Sequence, residues 1–260
     1  MGHIRLGRLP TSQKWRQVVA LLDQNASVDI IAAHASGAAE KDLATGATDP
    51  GFVRVCWLLA QIPLAARGPD FAEALRGLGL NVGELPELFE ISGAFAETVD
   101  EHVDGTRRRS DFGEMAQLAA AESLSAVAGR FLPNLFGTSA DDVQRAIGRL
   151  ATGQSFGELA HDFFSRLTRR HLDYFLGREL ANHIGRGRRF RTVADRADFD
   201  AAMEVHCREA ARIVREFAGG WFGKAAYQRG AITEADAARY AAYALKKIRA
   251  ELRKRRDAND

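Results

Sequence analysis

Phe156-Gly157-Glu158-Leu159-Ala160-His161-Asp162-Phe163-Phe164-Ser165-Arg166-Leu167, running on through His171 and Tyr174 towards Ile184, is the stretch on which the fold turns. At 100° per residue Phe156, Ala160, Phe163 and Leu167 line one side of a helix, and the same line continues through His171, Tyr174 and Arg178. A long helix over about 156–184 is expected. Two further windows behave alike: Met203, His206, Ala210 and Ile213 share a face around 199–217, and Met115, Ala119, Glu122 and Ala126 share one around 112–130. Each inward stripe carries an ionisable residue, and such groups are costly to bury unless paired. Glu122, His171, Tyr174, Arg178 and His206 are therefore expected to meet in an interior polar cluster.

Outward from this segment, helix starts recur at regular intervals. Thr11 or Ser12, then Ser27, can cap amphipathic windows, and Asp49-Pro50 places a cap before a proline at the first helical position. The nearly all-apolar 52–66 window that follows reads as a buried helix, kinked or ended by Pro63. Asp70 with Glu73, Pro86 with Glu87 and Asp111 with Glu114 put acidic groups at further starts. Ser139 to Asp142, Ser155 to Glu158 and Thr233 to Asp236 fit a capping box. Gly219 or Gly220 is expected to end a helix in a left-handed cap that turns Trp221 and Phe222 back on the bundle. Only His3 to Leu9 alternates at period two, and Pro10 ends it. The expected fold is all-α, a multi-helix bundle of about ten helices with a short N-terminal strand or extended arm. It is read as one domain over 1–260, with two packed subdomains, 1–104 and 111–260, as the alternative.

The 260 residues, 46% hydrophobic and 27% charged, exclude a collagenous or disordered chain. The net charge of +2 hides an asymmetry: residues 1–130 hold 12 basic and 17 acidic residues, residues 131–260 hold 24 and 17. Arginine outnumbers lysine 30 to 6, which reads as GC-rich genome bias alongside abundant alanine, with a need for bidentate anion contacts as the alternative. Cys56 and Cys207 have no knuckle or disulfide spacing and read as buried thiols. With no signal-peptide core at the start and no apolar run near 20 residues, a bacterial cytoplasmic location without membrane insertion is the expectation. No P-loop or Gly-x-Gly-x-x-Gly after a strand occurs, and no Glu-x-x-His pairs, so neither cofactor nor metal is expected.

The basic residues form three groups: Arg107, Arg108 and Arg109; Arg186, Arg188, Arg189 and Arg191 around Phe190; and Lys254, Arg255 and Arg256 at the end of a terminal basic run. Arginines beside an aromatic suit phosphate contact and base stacking. Arg166 with His171, and Arg178 with His183, have an Arg-x4-His spacing that resembles the HEPN nucleases over six residues at a time. With this many arginines about two such spacings arise from composition alone. The resemblance implies a metal-independent ribonuclease in which Arg178 stabilises phosphate and His183 transfers the proton. The leading expectation is a non-catalytic subunit or adaptor of a larger assembly, with a protein partner and with nucleic acid contacted through the Arg-rich loops. The ribonuclease, and a small-molecule sensor built on the interior cluster, are the alternatives.

Overall fold

The computed structural model describes residues 9–106, 109–133, 138–228 and 231–258. Among them run eleven α-helices: α1 (Gln13–Asp23), α2 (Val28–Ala38), α3 (Glu40–Gly46), α4 (Pro50–Ala65), α5 (Phe71–Gly77), α6 (Leu88–Thr106), α7 (Asp111–Gly129), α8 (Ala140–Arg149), α9 (Gly153–Asn182), α10 (Val193–Gly223) and α11 (Glu234–Asp257). A π-helical turn, Lys224–Gln228, follows α10. The protein is all-α, and a single bridge between Ile184 and Phe190 is the β pairing among the described residues. The expected N-terminal strand, His3 to Leu9, lies outside them apart from Leu9.

The starts follow the local chemistry closely. Ser12, Ser27 and Asp49 accept from the N–H three residues on, satisfying amides that the first turn leaves orphaned. Ser139 and Asp142 complete a capping box at α8, and Thr233 and Asp236 bond reciprocally at α11. One start differs: Thr152 rather than Ser155 bonds the first turn of α9. At α5 Asp70 stands at the N-cap position with Glu73 in the first turn, and at α7 Asp111 and Glu114 lie in the first turn behind the Ser110 cap. Ser110 also donates to Asp49 Oδ2 at 2.5 Å, so one carboxylate serves the starts of α4 and α7.

Two compact units form. One comprises Met1–Thr45, Ser165–Ile213 and Leu245–Asp260; the other comprises Gly46–Phe164 and Val214–Ala244. Neither corresponds to 1–104 or 111–260, because α6 and α7 pack together within the second unit. By sequence the first unit holds 23 basic and 14 acidic residues, net +9, and the second holds 13 and 20, net −7. We call them the basic and acidic units. In the basic unit Trp15, Val18, Leu22 and Ile31 close a core with Leu172, Phe175, Leu176, Phe199 and Met203. In the acidic unit α4 packs against α6, α7 and α8. There Phe52 meets Phe112, Phe163 and Phe164, while Phe156 stacks on Phe222 at 4.2 Å and Trp221 on Tyr240 at 4.1 Å.

Gly219 and Gly220 do not end α10, which runs on to Gly223. Gly219 is needed for a different reason: a Cβ there would lie 2.5 Å from the Gly153 carbonyl oxygen, so two backbones approach too closely for any side chain. Among the described residues no helix is long and apolar enough to cross a membrane, and none of their His, Cys, Asp and Glu groups is arranged to hold a metal. Cys56 and Cys207 are free and buried, the latter with its thiol pushed up to about 12 by burial.

Candidate anion-binding loop

The segment after α9 is shaped by its glycines. Gly185 has φ +133° and Gly187 φ +76°, conformations that side-chain-bearing residues adopt only under strain. Gly185 N–H donates to the Phe190 carbonyl at 2.7 Å, Phe190 N–H donates to the His183 carbonyl at 2.9 Å, and Arg188 N–H donates to the Gly185 carbonyl at 3.1 Å. The chain is thereby closed into a small loop. Phe190, 3% exposed, sits edge-on to Phe199 at 5.4 Å and pins the loop to the core.

Arg189 fastens the loop a second time. Its guanidinium donates to the Ala26 carbonyl at 2.6 Å, just beyond α1, and to the Leu22 carbonyl at 3.4 Å in its last turn, and lies 5.3 Å from the centre of the Phe199 ring. A cation at a helix C-terminus satisfies carbonyls that have no intrahelical partner. Burial lowers the pKa of this group. On the far side Thr192 and Asp195 start α10: Asp195 N–H donates to Thr192 Oγ1, and Asp195 Oδ2 accepts from the Arg191 and Thr192 amides at 2.8 and 3.0 Å.

The consequence is a sorting of the four arginines. Arg189 is half-buried and structural, whereas Arg186, Arg188 and Arg191 are exposed and make no ion pair with any described residue. Nearby arginines are consumed: Arg169 pairs with Asp173 and, at 2.7 Å, with Asp200, which Arg196 also holds at 2.9 Å. Burial pushes the Asp173 carboxyl up to about 6 against the pull of Arg169.

The other basic groups are placed differently. Arg109 pairs with Asp100 at 2.8 Å and Asp104 at 3.6 Å, while Arg107 and Arg108 lie outside the described residues. Lys254 is exposed and 3.6 Å from Glu251; Arg255 lies 3.8 Å from Glu209. The side chain of Arg256 is outside the described set.

The interior cluster is not assembled as expected. Glu122 is exposed on α7 in the acidic unit, because Ala119, Ala120, Ser123, Leu124 and Val127 take the buried face and Ser123 donates to Asp162 at 2.8 Å. Arg178 is exposed, while His171 is 2% exposed and edge-on to Phe175, which Tyr174 also flanks. Burial pushes His171 down to about 4, the nearby Ala39 backbone opposing it. His206 is buried with Nδ1 3.7 Å from Asp29 Oδ1; burial lowers its pKa first, and Arg255 adds to this against Asp29. His183 is 5% exposed, with Nε2 3.3 Å from Glu179 Oε1 and Nδ1 3.7 Å from Asp23 Oδ1. Of the pair named for the ribonuclease reading, His183 is thus buried and Arg178 exposed.

The role of Arg189 was missed in the sequence, where all four loop arginines read as equivalent. The Gly-x-Gly spacing at 185–187 and Asp195 three residues after Thr192 were the available signals. Comparison of the chain with protein-family models, with curated proteins and with solved structures finds no match.

Proposed function

We propose that this protein is a non-catalytic helical subunit or adaptor that contacts nucleic acid through Arg186, Arg188 and Arg191. One observation carries the reading: three exposed guanidinium groups, none ion-paired with a described residue, stand on a loop already fixed by backbone bonds, by Phe190 and by Arg189. Such a loop loses little conformational freedom on binding, and each phosphate it contacts releases condensed counterion. The net charge of +9 on the unit that carries it favours approach of a polyanion.

The test is fluorescence anisotropy with labelled single-stranded RNA across a salt series. The R186E/R188E/R191E protein, which leaves the Arg189 anchor intact, is expected to lose binding and to reduce the slope of log K against log salt by about 2. Unchanged affinity and slope in that variant would overturn the reading. Incubation of wild-type protein with the same RNA in EDTA should leave it uncut; cleavage abolished by H183A would favour the ribonuclease instead.

A further inference from the structure

The acidic unit carries an open groove of about 410 Å³ between α5, the segment after it and the first turn of α8. Four carboxylates line it, Asp70, Glu73, Glu84 and Asp141, against a single cation, Arg76. Arg76 is spent within the fold: it lies 3.2 Å from Glu73 and 3.4 Å from Glu84 and donates to the Val82 and Gly83 carbonyls. At the groove Leu85 is 76% exposed, and Phe89, four residues on, is 80% exposed. They set an apolar element beside the carboxylates.

The same chain offers matching chemistry elsewhere. The 184–193 loop displays three arginines flanked by Ile184 and by Val193, which is 74% exposed. We infer that the loop of one copy docks in the acidic groove of a second copy of this chain, its arginines meeting Asp70 and Asp141 and its apolar flanks meeting Leu85 and Phe89. Charge and apolar complementarity are both present, and no foreign partner has to be invoked to supply either. The contact joins two different surfaces of the chain, so it is heterologous. This does not rest on the nucleic-acid reading, although the two compete for one loop.

Sedimentation velocity on nuclease-treated full-length protein tests it. At about 50 mM salt the mass is expected to rise with concentration above the 28.5 kDa monomer, and to return to it at about 0.5 M, where the Debye length shrinks to a few ångströms. D70K/D141K and R186E/R188E should each weaken association by about tenfold or more. An equimolar mixture of the two should recover it, since each then meets an opposite charge. The milder D70N/D141N protein should show a smaller loss with the groove shape kept. D70K/D141K should still bind RNA, which separates failure here from failure of the nucleic-acid reading. A monomer at every concentration, association indifferent to these substitutions, or a mixture that fails to recover would overturn the inference. So would a monomer whose groove binds a synthetic lysine–leucine peptide in a D70K/D141K-sensitive way, which would assign the groove to a foreign basic segment.

Discussion

The two units bury different kinds of side chain. The acidic unit is filled with rings: Phe52, Phe163, Phe164, Phe156, Phe222, Trp221 and Tyr240 contact one another in stacked and edge-on pairs. The basic unit has fewer rings and more polarity, with His171, His183 and His206 buried and an Arg169–Asp173–Asp200–Arg196 network across α9 and α10. Dispersion and area burial are insensitive to pH, whereas neutral buried histidines are not. Acid is therefore expected to act on the basic unit through buried His171 and His206, which have no counterpart among the rings of the acidic unit.

The largest effect is expected at Phe52, which is fully buried. Phe52→Ala is expected to cost about 3–5 kcal/mol in urea unfolding at any pH from 4 to 8, as a cavity in an aromatic core does. A cost that varies steeply with pH would show that the aromatic unit is not pH-indifferent.

His171 sharpens the other side. Its folded pKa of about 4 lies below the ordinary 6.5, so its contribution is complete above pH 6.5 and is lost as pH falls towards 4, by about 3 kcal/mol in all. His206 acts in the same direction and Asp173, with its raised pKa, in the opposite one. The stability difference between wild type and His171→Phe, measured across pH 4–7.5, isolates the single group: the variant should lose less stability on acidification. Parallel curves would refute the assignment.

The smallest expected effect separates neighbours in α10. Gly219→Ala, with its Cβ driven against Gly153, should lower stability by about 1–3 kcal/mol. Gly220→Ala meets nothing within 4 Å and should be neutral or stabilising by up to about 1 kcal/mol. Equal effects at both positions would remove the close approach as the reason for Gly219.

The helices were legible because their signals are local. Ser12, Ser27, Asp49 and Ser139 act within three residues of themselves, and the 153–182 stripe is a property of one rod. What escaped was set by partners distant in the chain. Glu122 lies on the same side as Ala119 and Ala126 in a helical projection, yet the face actually covered is centred on Ala120 and Ser123. Arg189 differs from Arg188 only through carbonyls more than 160 residues earlier. The unit boundaries were likewise hidden, since each unit gathers segments far apart in sequence.

That gathering bears on how the protein is made. Trp15 finds its ring partner, Phe175, 5.0 Å away in space but 160 residues later. At about 5–20 residues per second a ribosome needs roughly 8–30 s to supply it. During that interval the greasy sides of α1 and α2 have only each other for native cover, so the emerging chain is the state most in need of a chaperone.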